Sequence, residues 1–141
     1  MKNILLLLFL FTCSISFSQT IRKEWAGGEK LFYIDGNTIR KEWAGGQKLF
    51  YLDGNTIRKE WAGGERLFFL DGKYIRKEWA GGDKLYYIDE ETIRKEWPGG
   101  ERLFYLDGNY IRRDWAGGDK LYYFEEEPEL WVIVCLLAME K

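Results

Sequence analysis

The dominant pattern in the chain is an 18-residue unit in which apolar and polar residues alternate. Six copies follow one another without insertion or deletion, starting at Ile21, Ile39, Ile57, Ile75, Ile93 and Ile111. Each copy approximates Ile-Arg-Lys-Glu-Trp-Ala-Gly-Gly-x-Lys-Leu-Phe-Tyr-Ile/Leu-Asp-Gly-Asn-Thr. Alternation with a period of two predicts β-strands, and repetition at a fixed spacing predicts a repeat architecture.

Glycine divides each unit into two strands. All 16 glycines fall in two columns of the repeat: a Gly-Gly pair in every unit, and a single Gly followed by Asn or Lys in four of them. Such dipeptides favour two-residue hairpin turns, because glycine adopts a positive φ without steric cost. We therefore predict two such turns per unit, strands of about seven residues and twelve antiparallel strands in all.

Pairing across both kinds of turn places one set of side chains on a common face. In the second unit, a Gly-Gly turn pairs Trp43 with Lys48, and the following turn pairs Leu52 with Ile57. We expect this more apolar face to point inward, although which face does so stays open. It carries a column of cations at mid-strand: Lys23, Lys41, Lys59, Lys77, Lys95 and Arg113. Since burying unpaired cations is prohibitive, they must extend along aromatic side chains, meet an anionic ligand or turn outward at a bulge.

The expected fold is all-β, a closed antiparallel barrel of about twelve strands, because closure removes both unpaired sheet edges. Side chains of the wall alone do not fill a barrel of this width. The segment Leu130–Met139 is apolar on all sides, and as a helix it would span ~15 Å. We expect it to be a helix threaded through the barrel. A membrane-associating tail and a thirteenth strand are the alternatives.

Three segments follow from these patterns. Residues 1–18 read as an export signal, with Lys2, an apolar run at residues 4–11 and a small-residue cleavage site ending at Ser18. A membrane anchor, for which the run is too short, and lipidation at Cys13 are the alternatives. Residues 19–125 form the six-repeat barrel and residues 126–141 the apolar C-terminal segment. The signal predicts a secreted or periplasmic protein.

Composition excludes several classes of function. The formal net charge is −2, with 21 Lys and Arg against 23 Asp and Glu, so no strongly basic face is expected for nucleic acid. Histidine is absent, the repeats contain no serine, and only Cys135 remains after processing. The residue types that the repeats do contain supply neither a nucleophile–base pair nor a nitrogen or thiolate metal site. We therefore expect no enzymatic activity, no cofactor and no metal.

Aromatic and lysine columns near the Gly-Gly pairs are the candidate binding residues. The tryptophans should form a ring at one mouth of the barrel, with cation–π contacts to neighbouring lysines such as Lys30 and Lys48. Such a mouth suits an acyl chain with an anionic head group, whereas simple closure of the mouth by packing is the alternative. The candidate ligand-binding set is Trp25, Trp43, Trp61, Trp79, Trp97, Trp115, Lys23, Lys41, Lys59, Lys77 and Lys95.

Twelve strands in a symmetric barrel followed by an apolar segment resemble the Tubby C-terminal fold and its LURP-one and lipid-scramblase relatives. The short versions built of near-identical hairpins resemble β-flower proteins. This resemblance covers residues 21–139 and is one of architecture. It implies a non-enzymatic module that binds a lipid-like or other apolar ligand, close to an envelope or membrane, and we expect a monomer. The segment from Trp79 to Asp89 is also similar to the aromatic hairpins of choline-binding and glucan-binding cell-wall modules, which gives the alternative function.

Overall fold

The computed structural model describes residues 18–140, which form a closed β-barrel around one helix. The export signal predicted for residues 1–18 therefore lies outside the described residues, except for Ser18. The helix α1 spans Leu130–Met139. The strands are β1 (Ser18–Lys23), β2 (Lys30–Asp35), β3 (Thr38–Lys41), β4 (Lys48–Asp53), β5 (Thr56–Lys59), β6 (Arg66–Asp71), β7 (Tyr74–Lys77), β8 (Lys84–Asp89), β9 (Thr92–Lys95), β10 (Arg102–Asp107), β11 (Tyr110–Arg113) and β12 (Lys120–Phe124).

The twelve strands pair in sequence order, and the first strand closes the ring against the last. Each strand is antiparallel to its neighbours, and Ile21 of β1 lies opposite Phe124 of β12. Each of these twelve strands therefore has a partner on both sides, so the sheet formed by residues 18–124 has no free edge for pairing with another molecule. The predicted closed barrel of twelve strands is confirmed.

The short turns match the sequence prediction. Leu52 lies opposite Ile57 and Asp53 opposite Thr56, so the connection from β4 to β5 contains two residues. Gly54, the first of them, has φ +61°, a left-handed conformation in which glycine avoids the clash that a Cβ would create. The turn between β8 and β9 departs from this pattern, because Glu90 occupies the glycine position with φ +43°.

The prediction of two-residue turns at the Gly-Gly pairs is wrong. In the second unit Ile39 lies opposite Phe50 and Arg40 opposite Lys48, so Leu49 is the extra residue of a β-bulge. The six residues 42–47 form a loop, and the strands are correspondingly shorter than seven residues. As a result the lysine column ends its strands instead of lying in the middle of them, and these side chains are exposed. No cation of the column has to be buried.

The core confirms the inward orientation of the repeated isoleucines. Ile21, Ile39, Ile57, Ile75, Ile93 and Ile111 are at most 1 % exposed. The helix residues from Trp131 to Leu137 are all buried and pack in the same cluster. A helix buried on every side by a closed wall is threaded through it, as predicted, so the protein's own C-terminal segment fills the barrel.

The two ends of the barrel differ in character. The tryptophan end consists of the six loops at residues 24–29, 42–47, 60–65, 78–83, 96–101 and 114–119. The turn end consists of the five two-residue turns and the acidic linker at residues 125–129. Leu130 lines a cavity with Gly108 at the turn end, whereas Met139 lines a crevice with Gln47 at the tryptophan end. The helix therefore enters at the turn end and ends at the tryptophan end.

Candidate functional site at the tryptophan end

Each loop of the tryptophan end begins with a tight reversal of the backbone. Glu24 has φ +63°, and the Trp25 N–H donates to the Lys23 carbonyl at 2.7 Å, which closes a γ-turn. The same bond recurs in all six loops, with Asp114 at the central position of the sixth. A non-glycine residue in this conformation costs about 1–3 kcal/mol and persists only where surrounding contacts hold it.

Contacts to the neighbouring hairpin hold the reversal. The Glu24 N–H donates to the Leu121 carbonyl at 3.2 Å, and the Glu42 N–H to the Leu31 carbonyl at 3.0 Å. These leucines are the bulge residues of the preceding hairpins. Every loop is thus tied to the hairpin before it, and the first is tied to the last. The position of each tryptophan is therefore fixed by the closed ring as a whole.

The two glycines of each loop permit close approach and do not supply a positive φ. A Cβ at Gly27 would overlap the Trp25 ring, and a Cβ at Gly28 would overlap the Lys23 carbonyl oxygen. The Gly28 N–H also donates to the Trp25 carbonyl at 2.8 Å. The indole thus packs flat on its own loop backbone, which leaves its outer surface free for contacts.

An arginine of the barrel wall donates a hydrogen bond to each loop. Arg22 donates from Nη1 to the Gly28 carbonyl at 2.9 Å, and the five equivalent arginines do so at 3.0 Å. Four of these arginines also pair through Nε with an aspartate, at distances from 2.8 Å between Arg76 and Asp71 to 4.0 Å between Arg40 and Asp35. Charge-assisted bonds of this kind give the loops a defined geometry.

The structure places all predicted site residues at this one end of the barrel. The tryptophans are between 58 and 63 % exposed, and Met139 is 43 % exposed. These seven residues are the exposed large hydrophobic side chains among residues 18–140. The five lysines of the predicted set are exposed beside them. The ring does not surround an empty apolar mouth, however, because the helix fills the interior.

The lysine–aromatic contacts differ from the expected ones. Within the described part of the chain, Lys84 lies 4.2 Å from the centre of the Tyr74 ring, and Lys120 lies 4.3 Å from that of Tyr110. Both contacts involve tyrosines of the wall instead of tryptophans. The register explains this difference, since the bulge removes the predicted pairing of each tryptophan with the lysine after the loop.

Open crevices separate neighbouring loops. One of about 510 Å³ lies between the first and last hairpins and is lined by Trp25, Glu24, Arg113, Asp119 and Lys120. Each loop contains one or two carboxylates and is flanked on both sides by a lysine or arginine, so the charges nearly cancel across this end. The surface therefore combines isolated aromatic platforms with polar groups of both signs, and it lacks a strong field of either sign.

The end of the helix is anchored at this site as well. Tyr122 donates its hydroxyl proton to the Glu140 carboxylate, and Arg113 lies 3.8 Å from that carboxylate. Burial, followed by the bond to Glu140, raises the pKa of Tyr122. The exposed lysine column surrounds the C-terminal end of the helix, where cations stabilise the negative end of the helix dipole.

Sequence reasoning missed two columns that build the site. The acidic residue before each tryptophan sets the reversal, and the leucine after each loop forms the bulge that receives it. The only sequence signal is that Lys-Glu-Trp, or Arg-Asp-Trp in the last unit, recurs in every repeat. That recurrence is equally compatible with charges that are solvated along a strand.

The chain matches no protein-family model, and neither curated proteins nor solved structures gave a match. Among the described residues, no helix has the length and apolar character needed to cross a membrane.

Proposed function

We propose that the protein is a non-enzymatic binding module that acts outside the cytoplasm and docks on a lipid–water interface through the tryptophan end. One observation carries this proposal: the seven exposed large hydrophobic side chains of residues 18–140 all lie at that end. Exposing so many apolar side chains on one surface is unfavourable unless the surface has a partner. Tryptophan is also the side chain that favours an environment with one apolar and one wet side.

The filled interior determines where an apolar ligand binds. Trp131 to Leu137 occupy the centre of the barrel, so an acyl chain would meet the outer surface of the loops instead of a lumen. The twelve strands closed around an apolar helix support the kinship with Tubby-like and β-flower barrels, which remains part of the proposal. Charge cancellation along the loops predicts docking that depends little on salt or on anionic lipid.

Sedimentation with phosphatidylcholine vesicles tests the proposal. Each tryptophan exposes more than half of its surface, and burying that part contributes about 2–4 kcal/mol. Replacing two non-adjacent tryptophans, as in Trp43→Ala with Trp97→Ala, should therefore lower the partition coefficient by at least about tenfold. The matched control is Trp131→Phe, which alters a buried tryptophan of the helix. Failure to sediment with vesicles, or an unchanged partition after the double substitution, would overturn the proposal.

Binding of a cell-wall glycan or choline group is the second candidate, and the crevices favour it. Trp25 lies beside carboxylates and cations in an open space of about 510 Å³, where a ring or quaternary ammonium group would find both stacking and polar partners. Retention on insoluble polysaccharide, or release from vesicles by free choline, would favour this candidate over the lipid interface. Neither effect is expected if docking depends on the acyl region.

A further inference from the structure

The turn end contains a cavity that the docking function does not use. It has a volume of about 360 Å³, within the roughly 300–1,000 Å³ range of ligand pockets. Its apolar part is formed by barrel wall and helix together: Ile88, Leu106, Ile111, Leu130 and Ile133. Three glutamates are also among the residues that line it: Glu90, Glu91 and Glu127. None of the residues that line it is basic.

The cavity arises from a mismatch of symmetry. Six near-identical units form the wall, whereas the single helix presents different side chains in each direction. On the side of β1 and the first unit, Trp131 and Val132 leave a space of only about 50 Å³. On the side of the fourth to sixth units, Leu130 and Ile133, each smaller than Trp131, face the wall and leave the larger cavity.

The repeat itself changes at the mouth of this cavity. Glu90 and Glu91 stand where the other turns have Gly followed by Asn or Lys. Glu90 keeps the left-handed φ of +43° without being glycine, which is unfavourable for the backbone. The hydroxyl of Tyr105, a residue that does not line the cavity, donates to the Glu91 carboxylate at 2.8 Å. Two acidic residues thus occupy a turn in which Gly-Asn would be more favourable for the backbone.

We infer that this cavity binds an amphiphilic cation, a short alkyl chain that ends in an ammonium group. The apolar walls would cover the chain, and the three carboxylates at the mouth would surround the positive head. An anion of the same length would meet unfavourable charge from all three carboxylates. This site is independent of the tryptophan end, so failure of the docking proposal would leave it unaffected.

Isothermal titration of the full chain with hexyltrimethylammonium tests the inference. We expect saturable binding of one molecule per chain, at least about tenfold tighter than that of hexyl sulfate. The double substitution Glu90→Gly with Glu91→Asn restores the repeat and should fold at least as stably. It should weaken binding of the cation by at least about tenfold.

Two single variants test whether binding depends on a carboxylate of the cavity lining or on the negative charge of the turn end as a whole. Glu127→Gln keeps the side-chain shape and should weaken binding by at least about threefold. Glu125→Gln removes the same charge from the same linker at a residue that does not line the cavity, and it should change affinity by less than about twofold. Equal affinity for hexyl sulfate, equal effects of the two linker variants, or unchanged affinity in the restored-repeat variant would each overturn the inference.

Discussion

Three glycines of the second unit should respond differently to replacement by alanine, because each is required for a different reason. Gly46 lies against the Lys41 carbonyl, Gly45 lies against the Trp43 ring, and Gly54 has a positive φ with open space around its Cα. The three variants add the same methyl group to loops of the same hairpin unit. Differences in their unfolding free energy therefore report the local contacts.

Gly46→Ala should be the most destabilising variant. Its Cβ would overlap a backbone oxygen, so the loop must open. Opening removes the 2.8 Å bond from Gly46 to Trp43 and the 3.0 Å bond from Arg40, each worth about 1 kcal/mol. Together with the lost packing, we expect a loss of about 2–4 kcal/mol. Gly54→Ala only forces alanine into the left-handed region, which costs about 1 kcal/mol.

Gly45→Ala should leave stability nearly unchanged while it displaces the tryptophan. The overlapping group is the far end of the Trp43 side chain, which can rotate away into solvent. We expect a loss below about 1 kcal/mol and weaker docking on vesicles, because the indole is no longer held on its loop. Guanidinium denaturation of the three variants measures the order. A Gly46→Ala protein as stable as Gly54→Ala, or a Gly45→Ala protein less stable than either, would refute the described loop packing.

The remaining predictions concern the helix, the strained turns and pH. Leu136→Ala should lower the unfolding free energy by about 2–5 kcal/mol, because it leaves a cavity in a site that is 1 % exposed, and denaturation measures this loss. Glu42→Gly should raise it by up to about 1 kcal/mol in the same assay, because it relieves a φ of +62°. Burial raises the pKa of the Cys135 thiol, and burial with the Glu140 bond raises that of Tyr122. The folded state holds both protons more tightly than the unfolded state does. The contribution of these two groups to the free energy of unfolding is therefore complete below their ordinary pKa values of 9.0 and 10.0. Stability should therefore fall as pH rises above these values, and Tyr122→Phe should reduce that dependence.

Much of the architecture could be predicted because it depends on periodicity that the repeat displays six times. Alternating apolar residues and the Gly-Asn turns correctly predicted hairpins, pairing such as Leu52 with Ile57, closure and a central helix. The Gly-Gly loops could not be predicted from local preferences. Glutamate rarely adopts a positive φ, and Glu42 does so because its N–H bonds to Leu31 of the preceding hairpin. That contact exists only after the sheet has formed.

The candidate site was predicted in composition but not in geometry. The tryptophan and lysine columns lie at one end, as their position in the repeat requires, since equivalent residues of each unit occupy equivalent places. Their exposure depends on the bulge at residues such as Leu49, which shifts the pairing by one residue and removes the lysines from mid-strand. The cavity beside Glu90 depends on the orientation of the helix inside the barrel, which the repeat pattern does not encode.

Trp131 to Leu137 of the helix fill the centre of the barrel, and this directs a ligand of the tryptophan end to the outer surface of the loops. Cys135 is fully buried at the centre of that helix. In a Cys13→Ser variant it is the only thiol of the chain, so its reaction with a thiol reagent at neutral pH reports access to the interior. We predict no reaction in the folded protein and complete reaction in concentrated guanidinium chloride. Rapid reaction in the folded protein would show that the helix does not occupy the interior and would contradict the account.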